Sequence, residues 1–297
     1  MAGDPVVVIG NFDGVHRGHV ELLRTARAAE PGAPLVAVTF WPHPMSVVRP
    51  DQAPLLLTTL EARVALLEQA GVDRVVVVDF TAEVASWSPA EFVERVLDPL
   101  HPRRVVLGEN FRFGFRAAGT VATLAELGAG RFVVQPVGLV TDGALPSSST
   151  LIRHAVLEGD FGRVRELSDQ TFRSTGVVVQ GDQRGRLLGY PTANVAVAPG
   201  MVVPADGVYA GWVTRLDGPA PRWPAAISVG TNPTFDGLER RIEAYVLDRD
   251  DLELYGVEIA IDFYARIRGQ VRFAGMEALI EQMHHDVEQI RHVLQVS

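Results

Sequence analysis

Val6-Val7-Val8-Ile9-Gly10-Asn11-Phe12-Asp13-Gly14-Val15-His16-Arg17-Gly18-His19 is the stretch that decides the fold of the first half of the chain. Four apolar, β-prone residues run into a glycine-rich loop, and a helical pattern over 18–29 follows, which is how a parallel α/β unit begins. The loop is not G-x-G-x-x-G, so a dinucleotide fingerprint is excluded. His16 and His19, three apart at the helix entry, share one side of the first turn. Unpaired N–H groups and the positive dipole end lie at the same place. Gly18, with Gly10 and Gly14 of the same loop, lets a phosphate approach the backbone. Two unrelated loop histidines would satisfy the spacing alone, and a metal pair has no third ligand nearby in sequence. The strand-to-helix context and a second phosphate candidate downstream favour an anion site suited to a triphosphate.

The same alternation continues outward. Strands are predicted over 35–40, 74–79, 103–107 and 132–137, with helices over 59–69, 90–100 and 121–127. That order predicts a Rossmann-like parallel sheet with helices on both faces, its ligands lying beyond the carboxyl ends of the strands. Residues 150–168 read as one further helix, from the stripe Leu151, Ile152, Ala155, Val156, Val164 and Leu167. Ser147-Ser148-Ser149-Thr150-Leu151-Ile152-Arg153 opens it. A plain cap explains the hydroxyls, but an arginine in a first turn opposes the helix dipole and points to an anion nearby.

After Phe172 the pattern changes to short strands, 177–179, 208–214, 225–229, 241–247 and 257–267, separated by turn residues, and one helix follows at 276–294. That is an antiparallel β-barrel or sandwich closed by a C-terminal helix. The expected division is 1–173 and 174–297. Within the second part, Gly181, Gly185 and Gly189 suggest a flap whose backbone N–H groups reach phosphates, although an ordinary hairpin would look the same. Thr192 and Asn194 alternate on an extended segment, so hydroxyl and amide oxygens can form a Mg2+ corner. Glu243, between Ile242 and Ala244, could simply face solvent. His284 and His285 diverge by about 100° on a helix and read as surface.

Composition narrows the chemistry. The 297 residues are 47% hydrophobic, and the apolar runs are too short for a membrane helix. The N-terminus has no signal-peptide pattern, so a cytoplasmic location is expected. There is no cysteine, which excludes thiolate catalysis and disulfides, and a net charge of −9 without a basic patch gives nucleic acid no electrostatic support. All 27 basic residues are arginine. P-loop, protein-kinase and Schiff-base lysines are therefore excluded, and phosphate chemistry must use Arg, His, backbone N–H groups, helix ends and metal.

These segments, with Leu107-Gly-Glu-Asn-Phe-Arg-Phe-Gly114, are similar to the signature segments of the adenylyltransferase module of bacterial bifunctional riboflavin kinase/FAD synthetase. Thr39-Phe-Trp-Pro-His-Pro44 resembles a fourth, with Trp41 where the family usually has an acid. Residues 185–194, 226–235, 242–247 and 254–256 resemble its riboflavin kinase module, in order, and 273–291 also matches. Arg249 stands where an aromatic is usual and is expected to affect only local packing. The resemblance implies that His16 and His19 hold ATP phosphates and stabilise charge on the α-phosphoryl group. It implies that Ser148, Thr150 and Arg153 bind phosphate oxygens, that Asn110 contacts flavin or nucleotide, and that Phe111 and Phe113 stack on the isoalloxazine. In the second module it makes Glu243 the general base, with Thr192 and Asn194 on Mg-ATP. Riboflavin, ATP, FMN and FAD are the implied small molecules, with no nucleic-acid or membrane partner, and a weak homo-oligomer is left open. A single-activity enzyme with one degenerate domain, or a non-catalytic flavin-binding protein, would share the resemblance. The intact acid, metal corner and histidine pair weigh against both.

Overall fold

The computed structural model describes residues 4–138, 141–142, 145–181, 190–219, 221–234 and 237–296. The chain divides into two compact units, Met1–Ser149 and Thr150–Ser297.

The first unit is built on a five-stranded sheet in the order β3-β2-β1-β4-β5. The strands are β1 (Val6–Ile9), β2 (Leu35–Trp41), β3 (Arg74–Asp79), β4 (Arg104–Gly108) and β5 (Val133–Val137), and a separate two-residue ladder, β6 (Thr141–Asp142) and β7 (Leu145–Pro146), follows. Every pairing within the sheet is parallel, with Val6 opposite Leu35 on one side and Arg104 on the other. Alternation along β1 feeds two cores. Val7 and Ile9 pack with Val36, Val38 and Phe92 on one face, and Val6 and Val8 with Leu22, Leu23 and Leu67 on the other. Helices α1 (Arg17–Ala29), α2 (Pro44–Val48) and α3 (Leu60–Gln69) follow β1 and β2, and α4 (Ala82–Ser86), α5 (Pro89–Phe92) and α6 (Val121–Leu127) follow β3 and β4. The connections reverse direction between β1 and β4. This puts residues 10–19 and the segment after β4 at the switch point where α/β sheets bind ligands.

Two predicted helices are less regular. The 90–100 stretch starts as α5, continues as a π-turn over Val93–Leu97 and ends as a 3-10 turn over Asp98–Leu100, where Pro99 cannot donate. The 150–168 stretch is two helices, α7 (Ser149–Glu158) and α8 (Phe161–Ser168). They part at Gly159, which takes φ +75°, and the Asp160 side chain starts the second by accepting from Arg163 N at 2.9 Å.

In the second unit β8 (Phe172–Val179), β9 (Ala193–Val197), β10 (Gly207–Arg215), β11 (Arg222–Thr234), β12 (Gly237–Val246) and β13 (Glu258–Arg268) form a closed antiparallel barrel in the order β10-β11-β12-β9-β8-β13. Closure is made by the strands themselves, β13 pairing with both β8 and β10. Phe161 of α8 stacks on Phe263 at 5.1 Å, meets Tyr209 edge-on at 5.5 Å and lies 6.1 Å from Phe172, so α8 belongs to this core. The C-terminal helix α9 (Met276–Leu294) lays Ile290 and Leu294 against Val208 and Ala210 of β10. Among the described residues no helix is long and apolar enough to cross a membrane.

Candidate active sites

The loop after β1 is buried rather than loose. Phe12 and Val15 are fully buried and take φ of 52° and 37°, values that non-glycine residues seldom adopt. Asp13, 2% exposed, fixes them there. Its carboxylate accepts from Leu57 N at 3.0 Å, Thr58 N at 3.1 Å and Thr58 Oγ1 at 3.1 Å. Its backbone carbonyl accepts from Ser149 Oγ at 2.8 Å. Ser149, the last residue of the first unit, is thereby tied to the histidine loop.

His16 and His19 stack with ring centroids 3.7 Å apart. His16 is the N-cap of α1 but supplies no side-chain cap, and the first turn holds no acid. Gly18 makes the stacking possible, because a Cβ there would lie 3.1 Å from His16 Cε1 and 3.3 Å from the Ser147 carbonyl. Burial lowers the His16 pKa to about 4, partly opposed by Asp13. The His19 pKa is also lowered, by burial first and then by His16 and Arg63. Both rings are therefore neutral near pH 7, and each Nδ1 is buried without a hydrogen-bond partner among the described residues. Gly10 and Gly14 lie in the same loop. Ser148 is half-buried and Thr150 exposed at the start of α7, with half-buried Arg153 a turn further on.

Beyond β2 and β4 opens a mostly apolar cavity of about 990 Å3, large enough for a fused aromatic ring system. Asn110, Phe111 and Phe113 line it. Phe111 and Phe113 stack at 5.9 Å, Phe113 being the more deeply buried in the core. His43 accepts from Met45 N at 3.1 Å through Nδ1, and its Nε2 lies 3.5 Å from Asn11 Nδ2, so it joins the cavity wall to the histidine loop.

In the barrel, register brings together residues far apart in sequence. Asn194 of β9 sits directly opposite Glu243 of β12, so the two share a face. That face is opposite to Ile242 and Ala244, which are buried. Thr192 Oγ1 lies 3.5 Å from Glu243 Oε2. Asn194 Oδ1 is buried and has no hydrogen-bond partner among the described residues. Gly181 lies against the Asn194 amide so closely that a Cβ would lie 2.2 Å from its nitrogen. Gly185 and Gly189 lie outside the described residues. Thr192 and Asn194 line a cavity of about 740 Å3.

Arg249 also lines that cavity, paired with Asp251 at 2.6 Å and set over the Trp223 ring at 5.6 Å, so its place is closer to the site than the sequence suggested. Tyr190 was missed by sequence reading. It is 7% exposed, meets Tyr245 edge-on and hydrogen-bonds His284 Nδ1 at 2.8 Å. An aromatic directly before the Pro191-Thr192 pair was the available signal. His284 is exposed but holds this buried partner. Among the described residues no group of three or more His, Cys, Asp or Glu could hold a metal ion.

Two family models match the chain in succession. A family model described as FAD synthetase matches residues 2–151, and one described as riboflavin kinase matches 168–294. The bifunctional riboflavin kinase/FMN adenylyltransferase of Listeria monocytogenes is 36% identical over 290 residues, covering 96% of this chain and 91% of the relative. Its namesake from Bacillus subtilis is 35% identical over 96% of this chain and 90% of its own, and that from Escherichia coli 34% over 95% and 90%. A crystal structure described as a macrolide-efflux protein from Streptococcus pneumoniae matches with a TM-score of 0.88 and 33% identity, covering 98% of this chain and 95% of that one. The efflux description is that protein's, and the likeness here is one of fold and sequence. With both family models matched in order and relatives above 30% identity over nearly its full length, the chain belongs to the bifunctional riboflavin kinase/FMN adenylyltransferase family.

Proposed function

We propose that the two activities of this family are divided between the two sites described. Riboflavin is phosphorylated at the Thr192–Asn194–Glu243 corner, and FMN is adenylylated at the His16–His19 loop. The observation that carries the reading is the convergence of Thr192, Asn194 and Glu243 across 51 positions of sequence, with Thr192 and Asn194 lining one cavity.

In the first reaction Glu243 accepts the proton of the ribityl 5′-hydroxyl while its oxygen attacks the γ-phosphorus of ATP and ADP leaves. The buried, unpartnered Asn194 Oδ1 and the Thr192 hydroxyl are oxygen donors that suit Mg2+. When bound with ATP, that ion supplies charge neutralisation on the phosphates. In the second reaction an FMN phosphate oxygen attacks the α-phosphorus of another ATP and pyrophosphate leaves. His16 and His19 are neutral and act as N–H donors to the triphosphate, next to the open first turn of α1. By the family resemblance, Ser148, Thr150 and Arg153 are further candidate phosphate contacts. The cavity lined by Asn110, Phe111 and Phe113 takes the isoalloxazine. A cytoplasmic setting, where ATP is produced, suits both steps.

The test is Glu243→Gln, whose amide cannot accept a proton. Riboflavin phosphorylation should fall about 10²–10⁴-fold, while supplied FMN is still converted to FAD. Near-parental phosphorylation would remove Glu243 as the base.

A further inference from the structure

Arg63, on the inward face of α3, is 0% exposed. Its Nη1 donates to the Phe40 carbonyl at 3.2 Å, and its guanidinium lies 5.4 Å from the centroid of Trp41. Its Nη2 is 3.7 Å from Asp13 Oδ1, an ion pair too long for a hydrogen bond. Among the described residues Nε and Nη2 have no hydrogen-bond partner. A cation held this way is a poor stabiliser, because apolar side chains of similar volume often replace such pairs without loss of stability. Its position explains it better. Asp13 holds the backbone between Phe12 and Val15 in two left-handed conformations that relax if released, and His16 and His19 follow within six residues. The charge of Arg63 also reaches His19, helping to keep that ring neutral.

We propose that Arg63 is a positioning residue for adenylyl transfer, acting through Asp13 on the loop that carries His16 and His19. The proposal rests on the reading of that loop as the triphosphate site. Misplacing the histidines by about 1 Å would cost on the order of 10²-fold in rate, without touching the barrel site.

The experiment compares full-length Arg63→Met, Arg63→Lys, Asp13→Asn and His19→Ala. It measures kcat and KM for ATP in FMN adenylylation, with riboflavin phosphorylation by the same preparation as the folding control. Arg63→Met should lower adenylylation kcat/KM at least about tenfold, with a share in kcat, and leave phosphorylation within about twofold. Arg63→Lys, keeping the charge, should recover most of the loss. If Arg63→Met does not fold, Asp13→Asn carries the test, with the same expected fall in adenylylation alone. Adenylylation within twofold of the parent, lysine no better than methionine, or both activities falling together would overturn the proposal. Undiminished adenylylation in His19→Ala would instead remove the triphosphate reading beneath it. Loss in His19→Ala beside a parental Arg63→Met would remove Arg63 alone.

Discussion

His16 is 6% exposed and carries a pKa drawn down to about 4, so its protonation is tied to unfolding. Between pH 6.5 and 4 the unfolded chain binds a proton that the folded ring refuses. The stability present above 6.5 is therefore lost as pH falls toward 4, by about 3 kcal/mol in all. His16→Gln removes this site. Thermal melts between pH 7 and 4.5 should show the parent losing stability more steeply than the variant, and parallel curves would contradict the buried, neutral histidine. His16 and His19 stood out in sequence as a local pair, whereas Glu243 was singled out only through the family resemblance. Asp13 and Arg63 were not, since their partnership spans 50 positions and an arginine in a helix ordinarily faces water. The signal that could have found Arg63 is its spacing of four from Leu67, which places it on the buried stripe of α3.

At the scale of elements, the strongly patterned pieces were readable. β1, β3, α6 and α9 fall on the predicted bounds. β9 was missed as a strand because it opens on Ala193-Asn194, residues of low strand preference, yet it carries Asn194 of the proposed Mg2+ corner. α9 does more than cover the barrel, since His284 reaches Tyr190 beside Pro191-Thr192. Tyr190→Phe removes that bond while keeping the ring against Tyr245. A net hydrogen bond of about 1 kcal/mol corresponds to about a fivefold rise in KM for Mg-ATP in the kinase step, with adenylylation unchanged. A kinase KM equal to the parent's would show that α9 does not steady the corner.

For the whole molecule, the change of pattern after Phe172 marked where the barrel strands begin, but it could not show that α8 packs with them. That contact is made by rings: Phe161 against Phe172, Tyr209 and Phe263. Two fragments separate the alternatives. Residues 150–297 keep this cluster and should melt cooperatively and phosphorylate riboflavin. Residues 174–297 lose Phe161 and Phe172, a deficit of about 3 kcal/mol or more, and should melt at least about 10 °C lower. Equal melting points would place the boundary near Arg173. Stripping divalent ions with a chelator should abolish phosphorylation by the longer fragment, with added Mg2+ restoring it. Turnover that survives the chelator would rule out the oxygen corner as a metal site.

The division of labour is tested most directly by mixing two full-length variants in riboflavin and Mg-ATP and following products with time. Glu243→Gln alone should make FMN about 10²–10⁴-fold more slowly but convert supplied FMN to FAD. His19→Ala alone should accumulate FMN without FAD. Their mixture should restore FAD formation from riboflavin, because FMN released by one chain is adenylylated by the other. Two variants that each lose both activities, or a mixture that still makes no FAD from riboflavin, would contradict the assignment of one reaction to each site.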